Sequence, residues 1–315
     1  MKVVVTGAAG FIGGVTVLKL LDAGHKVMAI DRVMPSAVLE NSGAQWYTGD
    51  FSGEVSLSGI KTFEPDAIIH CAGTSLVGPS VANPAEYYLN NFVRTKILLD
   101  FLVANKIKTR VIFSSSAATY GNPIMTPIQE IDPAEPISPY GESKLMTDWM
   151  LKSYRRAYGL DFVSFRYFNA CGADSQARHG QAAGATHIIA RVLESVRDGQ
   201  DFTLYGTDYP TKDGTCVRDY IHVEDLAEAH MLAVDPYIAS DIYNLGTNTG
   251  HSNLDIIQMS AAVTNKDIPV LHGPKREGDP ATLTADAGKF MTVSGWKPKF
   301  DLKDIIQHAW AWYNI

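Results

Sequence analysis

"KVVVTGAAGFIGG", residues 2–14, is the stretch on which the fold turns. Lys2–Thr6 is a mostly β-branched, apolar run of the kind a strand buried on both faces requires. Gly7, Gly10 and Gly13 follow at three-residue spacing. Residues 11–23 then repeat apolar side chains with helical period, at Ile12, Val15, Leu18, Leu20 and Leu21, until Gly24 ends the pattern. A second buried strand, residues 26–30, is closed by Asp31.

Strand, glycine turn, helix and a second strand ending in a carboxylate form the context in which a glycine motif becomes informative. Glycines here permit a tight turn and close backbone approach to a pyrophosphate at a helix N-terminus. Gly7, Gly10, Phe11, Ile12 and Gly13 are therefore expected cofactor contacts. Asp31 is expected to accept hydrogen bonds from the adenosine ribose and to repel a 2′-phosphate, which favours NAD over NADP. Arg32 beside it reads as a solvated loop residue. Asp50 and Phe51 follow the third strand and could border the adenine, although core packing accounts for Phe51 equally well. "CAG" at 71–73 closes another strand, and its small side chains would let backbone approach the cofactor, with Cys71 as a packed thiol.

The alternation continues outward. Residues 66–73, 110–116 and 161–169 read as strands, while 84–104 and Tyr140 to about Tyr158 read as helices. The 121–139 stretch, with five prolines, is loop. Strands alternating with helices predict an α/β fold, a Rossmann-type doubly wound parallel sheet. The second half is more irregular, with polar, glycine- and proline-rich loops at 205–220 and 273–286. It is expected to form a smaller α/β C-terminal lobe that binds substrate. The expected division is residues 1–168 and 169–315, with a soft boundary because later segments can return to the first sheet.

Composition limits the function classes. With 34 acidic and 27 basic residues, a net charge of −7 and no basic runs, the chain is a poor nucleic-acid or anionic-membrane binder. No stretch is long and apolar enough to span a bilayer, and the N-terminal apolar run is broken by glycines too early for a signal peptide. The three isolated cysteines give no disulfide framework or metal-ligand spacing, so no metal is expected and a reducing, cytoplasmic setting fits best.

"SPYGESK", residues 138–144, places Tyr140 and Lys144 one helical turn apart on one face. A free tyrosine is a poor base at neutral pH. A neighbouring ammonium and an oxidised nicotinamide would both favour the phenolate and make Tyr140 a workable general base. Lys144 can also hydrogen-bond the nicotinamide ribose. "SSSAATYG", residues 114–121, supplies Ser114 and Ser116 at a strand end to position a reacting hydroxyl.

With these motifs in view, the chain resembles the extended short-chain dehydrogenase/reductase family over nearly its whole length. "VTGAAGFIG", "NPAEYYLNN", "VIFSSSAATYG", "SPYGESKLMTDWML", "FRYFNACGA", "CVRDYIHVEDLA" and "PKREGD" carry the resemblance most specifically to its nucleotide-sugar 4-epimerases. The related dehydratases and decarboxylases place a carboxylate beside the catalytic serine, whereas this chain has Ser115-Ser116-Ala117-Ala118.

The resemblance implies inversion of C4 of a UDP-hexose through a transient 4-keto sugar, with hydride passing to and from bound NAD. It implies Ser116, Tyr140 and Lys144 as catalytic residues. Ala72, Gly73, Ser75, Asn91, Ser114 and Tyr167 would be further cofactor contacts. Asn169, His187, Tyr205, Arg218, Arg276, Asp279 and Leu283 would join Ser116 and Tyr140 at the UDP-sugar. The two arginines suit bidentate diphosphate binding, Asp279 a ribose and Tyr205 a stacked uracil.

Leu283 stands where the family places a residue that sets the room around the sugar. Its intermediate size leaves UDP-N-acetylhexosamines and UDP-pentoses open beside UDP-galactose and UDP-glucose. Ser75 replaces a lysine that many relatives aim at the cofactor phosphates, which predicts looser retention of NAD. A 4-ketoreductase that consumes free nicotinamide is the redox alternative. A non-enzymatic NAD sensor is disfavoured by the intact Ser116, Tyr140 and Lys144. The family also implies a homodimer through helices 84–104 and 140–158, with Ile97, Leu98, Met146, Trp149 and Met150 as candidate contacts.

Overall fold

The computed structural model describes residues 1–275 and 279–314. Among them, seven parallel strands form one sheet in the spatial order 241–245, 162–167, 110–116, 67–70, 2–6, 26–31, 45–48. From the central strand Lys2–Thr6 the chain winds outward one way through 26–31 and 45–48, then crosses back to 67–70 and winds the other way. That reversal makes a crevice at the carboxyl ends of the strands, where α/β sheets bind ligands.

The central strand is buried on both faces, and its side chains alternate between two cores. Val3 and Val5 pack with Val17, Leu20, Phe165 and Leu226. Val4 packs with Met28, Ile30, Leu57, Ile60, Leu98, Leu102 and Phe113. Helix Phe11–Asp22 covers the first face beside helix Val223–Ala233, with Val15 against Val223 and Ala227. Helix Pro139–Tyr158 is fixed to the sheet by the buried Asp148 carboxylate, which accepts from Ser164 Oγ at 2.5 Å and from Arg166 Nε at 3.1 Å.

Two expected elements are reshaped. The 161–169 strand leaves the main sheet after Tyr167, and Asn169–Cys171 pairs instead with Tyr220–His222 in a second sheet. The 84–104 helix is helical throughout but runs as Pro84–Tyr87, a π-helical segment Tyr88–Val93, and Arg94–Ala104. The seventh strand, Asp241–Leu245, comes from beyond residue 168, so the first sheet draws on the second half of the chain.

The second sheet centres on Val217–His222, flanked by Gly250–Ser252, Thr282–Leu283 and Asn169–Cys171. Helices Ile188–Asp198, Asn253–Thr264 and Leu302–Tyr313 pack around a separate apolar cluster built on Ile189, Leu193, Tyr220, Ile256 and Ile305. No helix among the described residues is long and apolar enough to cross a membrane.

Candidate active site

The glycine turn leaves the central strand with Gly7 at φ +69°. A Cβ on Gly7 would lie 2.6 Å from the Ala72 nitrogen, and one on Gly13 would lie 2.1 Å from the Gly7 carbonyl oxygen. The turn is therefore a cradle packed so tightly on its own backbone and on the 71–72 strand end that only glycine fits at positions 7 and 13. Gly10 caps helix Phe11–Asp22 without a side-chain bond, which leaves the helix's first N–H groups, those of Phe11 and Ile12, directed at the crevice. At the end of the next strand Asp31 accepts from the Ala9 N–H at 2.9 Å and the Val33 N–H at 3.0 Å. Open amides facing a glycine cradle, with a carboxylate at the neighbouring strand end, fit a dinucleotide.

Asp50 is turned to its own surroundings, pairing with Arg94 at 2.7 Å and accepting from Ser52 Oγ at 2.7 Å. Phe51 is buried in the core, edge-on to His70. Burial pushes the Cys71 thiol up to about 11, the state of a packed thiol. Gly73 has no room for a side chain, because a Cβ would meet Asn91 Oδ1 at 2.7 Å. Asn91 is a buried tie. Its Oδ1 accepts from the Thr74 N–H at 2.7 Å, and its Nδ2 donates to the Thr74 carbonyl and to Ser143 Oγ, both at 3.0 Å. Its own carbonyl, inside the π-helical segment, accepts from Thr95 Oγ1 at 2.8 Å and Thr147 Oγ1 at 3.2 Å. Ser75 is exposed, and its carbonyl accepts from the Tyr87 hydroxyl at 2.8 Å.

Strand Arg110–Ser116 and helix Pro139–Tyr158 bring the catalytic candidates together. Ser138 caps that helix by accepting from the Gly141 N–H at 3.2 Å, and Pro139 occupies its first turn. Gly141 lets the helix start press onto the turn after the strand, since a Cβ there would lie 2.4 Å from the Ala118 carbonyl oxygen. Lys144 is buried, donates from Nζ to the Ser114 carbonyl at 2.8 Å, and stands 4.8 Å from the Phe113 ring and 5.9 Å from the Tyr140 ring. Burial pushes its ammonium down to about 8.

Tyr140 is set by opposing effects. Burial raises its pKa, while the Ser116 hydroxyl pulls it back, and the net result stays above the ordinary tyrosine value. The lowering expected from Lys144 is thus not supplied by the protein alone, because the ammonium is drawn to the Ser114 carbonyl. Behind Lys144, Ser114 Oγ lies 2.9 Å from the Tyr167 hydroxyl, which also hydrogen-bonds His230 Nε2.

Five of the expected sugar-nucleotide residues, Asn169, His187, Tyr205, Arg218 and Asp279, line one cavity of about 200 Å³ in the second lobe. Arg218 Nη2 meets Asp279 Oδ1 at 2.7 Å. Asn169 Nδ2 donates to the Asp219 carbonyl at 2.9 Å. Ser116, Tyr140 and Leu283 lie outside the cavity's lining. Leu283 pairs in register with Arg218 and packs on the cluster of Ala117, Tyr120, Ile128 and Phe168 that follows Ser116. Arg276 lies outside the described residues.

Asp219 is a site-forming residue that sequence reading missed. It is fully buried and accepts from the N–H groups of Thr247 at 2.8 Å, Asn248 at 3.1 Å and Ala285 at 3.2 Å, which fixes the Leu283 strand beside Arg218. An acidic residue directly after the arginine of "VRDY" was its one visible signal. Among the described residues, no group of three or more His, Cys, Asp and Glu side chains is arranged to hold a metal ion.

A profile of the NAD dependent epimerase/dehydratase family matches residues 3–246. A UDP-glucose 4-epimerase of Halalkalibacterium halodurans is 42% identical over 322 residues, covering 100% of this chain and 96% of that one. The UDP-glucose-4-epimerase of Stenotrophomonas maltophila, solved with bound NAD and formylated UDP-arabinopyranose, superposes with TM-score 0.95 at 32% identity, covering 100% and 98% of the two chains. The UDP-glucose 4-epimerase of Bifidobacterium longum, solved with NAD+ and UDP, does so with TM-score 0.91 at 35% identity, again covering 100% and 98%.

Proposed function

The chain belongs to the NAD dependent epimerase/dehydratase family, and from that premise we infer that it is an NAD-dependent epimerase that inverts C4 of a UDP-hexose, interconverting UDP-galactose and UDP-glucose. The observation that carries this reading is one juxtaposition. The Lys144 ammonium stands 5.9 Å from the Tyr140 ring and beside Gly73, next to the Ala72 backbone on which Gly7 packs, and strand Asn169–Cys171 follows strand Phe162–Tyr167 into a cavity lined by Arg218 and Asp279.

Bound NAD would supply a hydride acceptor that later returns the hydride, together with a positive charge. The glycine cradle, the amides of Phe11 and Ile12, and Asp31 would hold it. Ser116 orients the sugar 4-hydroxyl toward Tyr140. Tyr140 takes that proton as C4 becomes a ketone, and gives it back once the sugar has turned its other face. One tyrosine suffices because both half-reactions are the same chemistry on opposite faces. Arg218 and Asp279 anchor the nucleotide in the second lobe while the sugar swings about its diphosphate link. Ala117 and Ala118 beside Ser116 offer no carboxylate for elimination, which keeps the chemistry to oxidation and reduction.

Leu283 supports a second reading of the substrate range. It packs next to the Ser116 turn and is smaller than an aromatic side chain, which leaves room for UDP-N-acetylhexosamines or UDP-pentoses. The homodimer is proposed from an exposed apolar stripe. Leu89, Val93 and Ile97, spaced four apart, are 46%, 41% and 41% exposed, and Trp149 on the neighbouring helix is 58% exposed. Leu98 and Met150, expected in that interface, are instead buried in the monomer core, and Met146 is half-buried. The three free thiols agree with the proposed reducing, cytoplasmic setting.

Proton NMR of the purified protein with UDP-galactose, and then with UDP-N-acetylgalactosamine, tests the reading, first without and then with added NAD. Conversion of UDP-galactose with no net change in nicotinamide is expected. Stoichiometric consumption of added NADH would favour the ketoreductase, and no conversion under either condition would end the hexose reading.

A further inference from the structure

Residues 172–181 connect strand Asn169–Cys171 to the wall of the sugar-nucleotide cavity, and on the way they lie across the helix that follows the glycine turn. The segment is closed by a bridge between Ala173 and Gly180, and by the Asp174 N–H donating to the His179 carbonyl at 2.8 Å. Two consecutive side chains then grip both ends of helix Phe11–Asp22. Arg178 forks onto Asp22, at 3.1 and 2.8 Å, and onto the buried Asp174, at 3.0 and 2.7 Å. His179, buried, places Nε2 3.1 Å from the Gly10 carbonyl oxygen. The helix is shaped to admit the imidazole, since a Cβ on Gly14 would lie 2.4 Å from His179 Nε2. From the other side Trp312 lies over Gly180 and donates from Nε1 to the Gln181 carbonyl at 2.8 Å.

A carbonyl oxygen only accepts, so His179 must carry its proton on Nε2. Burial, which holds the imidazole below its usual pKa, keeps it neutral, and Nδ1 is then a buried acceptor with no hydrogen-bond partner among the described residues. The consequence lies on the far side of one peptide plane. The Gly10 carbonyl and the Phe11 N–H belong to the same planar trans unit and point in opposite directions. Gly10 has no side chain to restrict its ψ. The Gly10 oxygen already accepts the first intrahelical bond, from the Gly14 N–H at 2.8 Å. The His179 donor is therefore a second hold on the Gly10 oxygen and, through the same peptide plane, on the Phe11 N–H, one of the open amides at the phosphate end of the helix.

We propose that His179 is a positioning residue for the cofactor. By donating to the Gly10 carbonyl beside the Gly14 N–H it adds to the hold that keeps the Phe11 amide aimed at the pyrophosphate, and through residues 172–181 it ties the glycine turn to the cavity that Gln181 and His187 line. This role rests on the NAD reading above. It gives the turn a support where Ser75 supplies no cation to the phosphates.

The test is the rate at which NAD-loaded protein loses NAD after dilution, measured for wild type, His179→Ala and His179→Gln, with UDP affinity and melting temperature read in parallel. His179→Ala is expected to lose NAD on the order of three- to ten-fold faster, the scale of one hydrogen bond, with UDP affinity unchanged. His179→Gln, which keeps an N–H donor of similar reach, is expected to restore most of the retention. Unchanged NAD loss in His179→Ala would overturn the role, as would an equal defect in both variants that follows a lowered melting temperature. A wild-type protein that takes up no NAD would overturn the cofactor reading along with it.

Discussion

A methyl group built on Gly141 would lie 2.4 Å from the carbonyl oxygen of Ala118. Helix Pro139–Tyr158 and the turn after Ser116 therefore pack backbone to backbone, and the absence of a side chain at residue 141 sets how closely the Tyr140 end of the helix approaches that turn. In an ordinary helix Gly→Ala stabilises by about 1 kcal/mol. Here the overlap with backbone must push the helix start away, and a displacement of about 1 Å at reacting groups can cost about 100-fold. Gly141→Ala is expected to lower kcat for UDP-galactose at least about ten-fold, with KM and bound NAD little changed. Steady-state kinetics at wild-type activity would show that the contact does not set the Tyr140 position.

Arg218 and Asp279 meet at 2.7 Å on the cavity wall, with the arginine side chain only 12% exposed. An arginine so placed can exchange its carboxylate partner for a diphosphate. Arg218→Ala removes charge-assisted hydrogen bonds worth about 1.5–3 kcal/mol, so KM for the UDP-sugar is expected to rise about 10- to 150-fold. UDP binding by calorimetry should weaken in parallel while NAD retention holds. Equal loss of UDP and NAD would place Arg218 in the fold rather than the site.

Much of this was legible in the sequence because it is local. The period of Lys2–Thr6, the glycine spacing and Asp31 at a strand end are all read within about thirty residues, and they fix the sheet and its cofactor end. What escaped depends on contacts between distant segments. Asp219 serves Thr247 and Ala285, and His179 serves Gly10 across 169 residues. In the π-helical segment Tyr88–Val93 the Asn91 carbonyl accepts from Thr95 one turn on and also from the distant Thr147. The interface residues failed for a simpler reason. Ile97 and Leu98 are successive helical residues about 100° apart, so they could not share one face, and the fold buries Leu98 and exposes Ile97.

That helical phase makes the association testable. The Leu89, Val93 and Ile97 stripe and Trp149 form the proposed subunit contact. Light scattering of the wild type is expected to give twice the chain mass of 34.3 kDa. The double variant Ile97→Glu with Trp149→Arg removes apolar area and adds charge on an exposed face. It is expected to give the single-chain mass with folded circular dichroism. A wild type already at the single-chain mass would remove the dimer.

Lys144 should make the enzyme's stability depend on alkaline pH. Burial, the largest effect, pushes its ammonium from 10.5 to about 8. Below about pH 8 both the folded and unfolded chains hold this proton, and the folded state bears the full cost of a buried cation. Between about 8 and 10.5 the unfolded chain holds the proton while the folded chain has released it. The unfolded state then binds more protons, so stability contributed by this group rises with pH across that window. Lys144→Met keeps the length of the side chain and removes the charge. It is expected to be more stable than wild type at pH 7 by up to about 3 kcal/mol, with the gain shrinking toward zero near pH 10.5. Activity should fall at least about 100-fold, since with NAD bound the Lys144 ammonium would no longer stand beside Tyr140 and the nicotinamide ribose. Urea unfolding of both proteins at pH 7 and pH 10 separates the effects. If Lys144→Met is the less stable protein at pH 7, the Ser114 carbonyl and the Phe113 ring outweigh the burial of the ammonium.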